Sequence, residues 1–284
     1  MLKLIRNMAG ERYSLGISMS GISLSHSAPG RKARTSLLAD QAFATQEHSS
    51  LDMLKKALVA LLSDKNIRGS AISIILDDEW ARAFFVTPPA NASSKQDLVS
   101  AAKIRFETLY GDTCDDWLIE ADYETDDIFL AFGMQKKVMT TINEVCDAYQ
   151  LKVISISTHF LSVWNRYCQK LPKDSWLGLV NDQVLNLAII EQQRLVGLRH
   201  IHISGHSEQW LKACLDREAL RFKLSSPKQL MLVGNINGYW VTPDLQPHKL
   251  NKDMLICKNL DQANLPEQVT WSTQARIAML GLPS

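Results

Sequence analysis
Twice along its length the chain writes the same run of elements. Residues 13–20, 21–27 and 35–44 alternate small, polar and apolar side chains at period two, the pattern of strands. Ser20-Gly21 and Pro29-Gly30 supply the turns between them. A helix follows, with Leu51, Leu54, Leu58 and Leu61 on one face and Ser49 or Ser50 as its cap. The apolar run 71–76 then reads as a buried strand. The theme returns in residues 176–180, 184–190 and 195–203, a helix over 208–222, and an apolar strand over 230–233. Three meandering strands followed by alternating helix and strand describe a mixed α/β sheet. Two such patterns in one chain predict two lobes with a cleft between them. Leu171-Pro172-Lys173-Asp174 is the polar, proline-bearing link, which sets the lobes at residues 1–172 and 173–284. The repetition lies in the pattern and not in residue identity.

The first half carries an insertion, at about residues 80–150. A strand over 80–86 stops at Pro88-Pro89. A helix over 98–109 puts Val99, Ala102, Phe106 and Leu109 on one face. Strands over 117–123 and 128–133 flank an acidic turn, and Val138, Ile142, Val145 and Tyr149 mark a second helix. The order is strand, helix, strand, strand, helix. Residues 152–157 and 160–171 then read as a strand and a helix.

Composition narrows the functions open to such a chain. A formal charge of +1 gives no bulk attraction to nucleic acid or anionic lipid. No stretch approaches the ~20 apolar residues of a membrane helix, and residues 1–12 do not read as a signal peptide. The five cysteines, Cys114, Cys146, Cys168, Cys214 and Cys257, form no C-x-x-C pair and are expected to be reduced thiols of a cytosolic protein.

Four features carry a resemblance: Leu15-Gly16-Ile17-Ser18-Met19-Ser20-Gly21, the inserted unit, the second three-strand opening at Trp176, and Leu230-Met231-Leu232-Val233-Gly234. Together they resemble the actin-like pilus-assembly proteins of the PilM family and the related cytoplasmic domain of the type II secretion protein GspL. The resemblance implies a two-lobed actin-like, ribonuclease-H-like α/β fold with mixed sheets. It also implies a nucleotide site between the lobes. Active relatives carry L-G-I-D-I-G in the first hairpin; here Ser18 stands at the acid and Ser20 at the second glycine, beside Gly16 and Gly21. The acid of the second hairpin falls at Leu179 or a neighbour, and the glycine-rich turn under the adenosine is partly kept as Gly234 to Gly238.

These losses bear directly on chemistry. A triphosphate is held with a divalent cation, which needs carboxylate oxygens. Close approach of backbone to phosphate favours glycine. Serine is a weak neutral ligand and leucine is none. The expectation is a pseudo-ATPase without a bound cofactor, although the turn at Gly234 and Gly238 leaves room for weak binding of ATP or ADP.

Other constellations compete. His200, His202 and His206 could offer three nitrogens to zinc, against the plainer reading of a polar strand end. Asp112, Asp115, Asp116, Glu120, Asp122, Glu124, Asp126 and Asp127 lack calcium-loop spacing and read as a solvated face. There is no G-x-S-x-G elbow and no P-loop. The seven tryptophans are scattered and belong in cores or interfaces; Trp210 and Trp240 are the ones to check for exposure.

The resemblance implies a non-catalytic scaffold, cytoplasmic and peripheral to the inner membrane. It would bind the short cytoplasmic tail of an inner-membrane pilus or secretion subunit, with self-association open. The alternative is an active nucleotide-binding enzyme of the sugar-kinase and actin ATPase superfamily, for which Asp182 is the nearest acid in the second half.

Overall fold
Apolar side chains at every second position bury one face of a strand, and small ones between them admit a close neighbour on the other. The first sheet is built this way. The computed structural model describes residues 12–28, 35–43, 51–63, 67–121, 123, 127–173, 175–181, 183–236, 238–241, 255–260 and 272–282. The Pro29-Gly30 turn, the caps at Ser49 and Ser50, and Asp122, Glu124, Asp126, Asp174, Asp182, Asn237 and Trp271 lie outside the described residues.

The described elements, in chain order, are β1 (Arg12–Ile17), β2 (Gly21–Ser27), β3 (Thr35–Ala42), α1 (Leu51–Ser63), β4 (Ala71–Leu76), β5 (Ala81–Val86), α2 (Lys95–Tyr110), β6 (Trp117–Ala121), β7 (Phe129–Gln135), α3 (Lys136–Ala148), β8 (Lys152–Thr158) and α4 (His159–Tyr167). Then follow β9 (Ser175–Asn181), β10 (Val184–Glu191), β11 (Arg194–His202), α5 (Glu208–Phe222), β12 (Gln229–Gly234), β13 (Ile256–Asn259) and α6 (Thr273–Leu280). They form two compact units, Met1–Ser162 with Gln274–Ser284, and Val163–Thr273.

The first unit holds a sheet in the order β3-β2-β1-β4-β8. β1, β2 and β3 are an antiparallel meander; β4 runs parallel to β1 and β8 parallel to β4. Leu15, Ile17, Ile22, Leu24, Ile72, Ile74 and Leu76 bury one face against Leu54, Leu58 and Leu62 of α1. Each such side chain contributes ~1.5–3 kcal/mol by leaving water. The alternate positions of β1 and β2 are Ser14, Gly16, Gly21, Ser23 and Ser25, all buried. They admit the last helix, α6. A Cβ on Gly16 would lie 2.2 Å from the carbonyl oxygen of Gln274 and 2.5 Å from the nitrogen of Ala278. A Cβ on Gly281 would lie 2.1 Å from Ser14 Oγ.

The inserted strand-helix-strand-strand-helix order is present, with a correction to its extent. The small antiparallel sheet β5-β7-β6 and α2 make a core of their own around Phe84, Leu98, Phe106, Trp117 and Phe129. The second helix, α3, does not join it. Its Val138, Ile142 and Val145 pack into the core beneath α1. α2 opens on a capping box, in which Ser94 and Asp97 satisfy each other's backbone N–H groups.

In the second unit the sheet order is β11-β10-β9-β12-β13, which repeats the first sheet place for place. β9 to β11 are again an antiparallel meander, and β12 and β13 are parallel additions. Leu211, Cys214 and Leu215 of α5 pack on Leu187, Ile189, Leu230 and Leu232. Two boundaries of the sequence reading change. The division falls before Val163, ahead of Pro172, and residues 274–284 return to the first unit and not to the second. That return is what the small face of β1 accommodates.

Gly16→Ala is therefore expected to destabilise the chain by ~1–3 kcal/mol, the usual cost of overpacking. Chemical denaturation checks this; an unchanged midpoint would show that α6 does not sit on β1.

Candidate functional site
The turn between β1 and β2 is where the first hairpin carries its serines. Ser18 donates its backbone N–H to the Gly21 carbonyl at 2.8 Å. Its Oγ accepts from the N–H of Gly21 at 3.0 Å and of Ser20 at 3.1 Å. A side-chain oxygen that gathers local N–H groups is the usual use of serine in a turn. The hydroxyl proton has Ser20 Oγ at 2.9 Å, the Gly21 carbonyl at 3.2 Å and Gln274 Oε1 at 3.3 Å within reach.

Gln274, in the first turn of α6, closes this turn. Its Oε1 accepts from Ser18 and from Ser20, the latter at 3.4 Å. Its Nε2 donates to Asp40 Oδ1 at 2.9 Å, and Asp40 also accepts from Ser23. A carboxylate only accepts, so the amide nitrogen faces Asp40 and the oxygen faces the serines. A Cβ on Gly21 would lie 2.4 Å from the Gln41 carbonyl oxygen of β3 and 2.8 Å from Gln274 Nε2. The space that glycine and serine leave at Gly16, Ser18, Ser20 and Gly21 is thus occupied by the helix, its glutamine and, at Gly21, the β3 backbone.

A second buried polar group lies in the same unit. Asp77 and Asp78 follow β4, and the Asp77 N–H donates to the Ile17 carbonyl at 2.7 Å. Asp78 accepts the Phe160 N–H at 2.9 Å, and Thr158 Oγ1 accepts from Leu161 at 3.2 Å. These bonds satisfy free donors at the start of α4 and place a negative charge at its positive end. Ligand atoms of Asp77, Asp78 and His159 lie within 4.8 Å of one another, and all three residues are buried. Burial first, and then the charge of Arg276, push the His159 pKa down to about 3. The imidazole is neutral, and Arg276 lies near enough to act on it electrostatically. The arrangement suits a clasp between the end of β4 and the start of α4.

In the second unit Leu179 is wholly buried and pairs with Val233 across the β9–β12 ladder. Gly234 has φ +105°, and a Cβ there would lie 2.1 Å from the Val180 carbonyl oxygen. The glycine is required by its own strand neighbour. Around Gly238 a Cβ would meet nothing. His200, His202 and His206 do not converge: among the described residues the metal-ligand atoms that gather are those of Asp77, Asp78 and His159. His200 Nδ1 is instead 2.6 Å from Asn186 Oδ1 on β10. Two described members of the acidic run have separate partners. Asp112 pairs with Arg82, and Asp127 accepts the Ile128 N–H. Trp210 and Trp240 stack at 5.7 Å, with Trp240 buried.

The sequence reading missed Gln274, Asp40, Asp77, Asp78, His159 and Arg276. Ala275, Ala278 and Gly281, small at every third position, were the available sign of a helix in close contact. Nothing near Gln274 in sequence pointed to residues some 250 positions away.

No family model matches the chain, and no curated protein matches it by sequence. Solved structures do. A Bacteroides thetaiotaomicron protein described as having an actin-like ATPase fold and unknown function aligns with TM-score 0.57 at 14% identity, over 84% of this chain and 87% of that one. The fold is actin-like. The cytoplasmic domain of EpsL, an inner-membrane component of the Vibrio cholerae type II secretion system, aligns with TM-score 0.54 at 12% identity, over 80% and 84%. A PilM–PilN type IV pilus biogenesis complex aligns with TM-score 0.54 at 11% identity, over 82% and 84%.

Two outcomes follow. Gln274→Ala removes one partner from Asp40 and one from each serine and is expected to cost ~1–3 kcal/mol. Gln274→Glu, which sets a second carboxylate beside Asp40, should cost more than Gln274→Ala at neutral pH; equal midpoints in urea would refute the contact. His159 titrates near 6.5 when unfolded and near about 3 when folded. Between those values the unfolded chain holds the extra proton, so stability falls as pH falls from ~6.5 toward ~3. His159→Gln should remove up to ~1.4 kcal/mol per pH unit from that slope; parallel wild-type and variant profiles would contradict it.

Proposed function
We propose that the chain is a non-catalytic actin-like scaffold that works on the cytoplasmic side of an inner membrane, in type IV pilus or type II secretion assembly. The likeness in fold to the EpsL cytoplasmic domain and to the PilM–PilN complex supports this setting. The observation that carries the non-catalytic reading is the Gln274 amide, seated against Ser18 and Ser20 in the turn that the resemblance makes the phosphate site. Magnesium bound to a triphosphate needs carboxylate oxygens. Here Ser18 spends its hydroxyl on the turn, and Asp40 is held by Gln274 and Ser23. Hydrolysis would further require an oriented water and charge stabilisation at the γ-phosphate.

The partner in this reading is an inner-membrane subunit with a short cytoplasmic tail, which would bring the chain to the membrane. No described helix is long and apolar enough to cross a membrane. Backbone hydrogen bonds to an extended tail would give affinity, and side-chain pockets its register.

Purified chain should show no magnesium-dependent ATP hydrolysis above background, and should recover an inner-membrane subunit from detergent-solubilised membranes of its own cell. Turnover near ~1 per second would favour the sugar-kinase and actin ATPase alternative. Recovery of soluble metabolic proteins alone would overturn the scaffold reading.

A further inference from the structure
Glu218 of α5 is buried to 1% exposure, and three arginines share its carboxylate. Arg199 Nε on β11 lies 3.2 Å from Oε2, Arg217 Nε lies 3.2 Å from Oε1, and Arg221 Nη1 lies 3.3 Å from Oε1. One negative charge thus anchors three positive ones. The guanidinium side chains keep 42%, 55% and 52% of their surface in water. A guanidinium has five N–H donors in a planar fork, and these bonds to Glu218 use only part of each set. Arg217 spends one more on Cys214 Sγ. The outward donors are held in place by a buried anchor, so little freedom is lost when an anion joins them.

On the same helix Leu220 is 78% exposed. It is three residues after Arg217, and Arg221 is four after Arg217, so both neighbour Arg217 on the surface of α5. A large apolar side chain in open water beside concentrated positive charge has no role for an inorganic ion. It does suit a chain that presents a carboxylate next to an apolar side chain.

We infer that Arg199, Arg217, Arg221 and Leu220 form a docking surface for a short acidic segment of a protein partner, one that carries leucine or a similar residue between its carboxylates. The surface lies wholly in the second unit and does not depend on the reading of the first hairpin. Glu218 acts as its internal anchor, and a partner carboxylate takes up the charge that Glu218 leaves unbalanced.

The test is fluorescence anisotropy of the full chain with a fluorescein-labelled peptide of alternating Glu-Glu and Leu-Leu pairs, against the same peptide with Lys for Glu. The Glu peptide should bind, and binding should weaken as salt rises from about 50 to about 300 mM. Arg217→Ala with Arg221→Ala should lower affinity at least about tenfold. Arg217→Lys with Arg221→Lys keeps the charge and the balance with Glu218, and should lower it about threefold through loss of the fork. Leu220→Ser should weaken the peptide and leave competition by inorganic phosphate unchanged. Equal binding of the two peptides, or full affinity in the Lys double variant and in Leu220→Ser, would overturn the proposal. So would phosphate competition strong enough to abolish peptide binding at equal concentration, which marks a small-anion site. Salt-sensitive self-association that Arg217→Ala abolishes would assign the surface to a second copy instead.

Discussion
The contact of α6 with β1 is the constraint on which the first unit depends. Backbone meets backbone at Gly16 with no space for a methyl group, and Ser14 accepts Gly281 in the same way. Because this face of the hairpin is made of glycine and serine, the sheet is covered on both sides and its central strands carry no exposed ladder face. The contact also delivers Gln274 to the turn. One packing interaction therefore fixes the last helix in the first unit and places a neutral amide where the resemblance expects phosphate. Gly16 is accounted for by helix packing, and Gly21 by the Gln41 carbonyl of β3 together with the Gln274 side chain.

Much of the architecture was legible because each strand and helix announces itself locally. The period-two runs became β1, β2 and β3, the isoleucine-rich run became β4, and the helix over 208–222 is α5 as read. The repeat of strand order across the two halves also held, place for place. What failed was non-local. The amphipathic pattern of α3 shows that Val138, Ile142 and Val145 are buried, but not which core buries them. Residues 256–259 and 273–280 are a short strand and a short helix, with too few periodic positions to declare themselves. The histidines stay apart for a local reason. Strand alternation places His200 and His202 on one side, yet His200 is drawn to Asn186 on the neighbouring strand.

The candidate site was legible as a loss and not as a replacement. Ser18 could be seen to replace the acid and Ser20 the second glycine, and Leu179 is a buried strand residue. The sequence held no sign that Gln274 and Asp40 complete a closed set of hydrogen bonds around those serines. Nor did it show that Asp77 and Asp78, next to an apolar strand, gather with a neutral buried His159. Both groups are assembled by tertiary packing from distant segments. Each is mostly satisfied from within the unit, as expected of polar groups built into a core.

The first hairpin is filled from inside, by Gln274 of α6. The most direct measurement is the NMR resonances of the Gln274 side-chain amide and of the Gly16, Ser20 and Gly21 amides, followed through a titration with magnesium ATP. If Gln274 keeps its bonds to Ser18, Ser20 and Asp40, these signals stay in place at millimolar nucleotide. Saturable shifts at all four, with release of the Gln274 amide, would show that the turn still takes phosphate and would contradict the account.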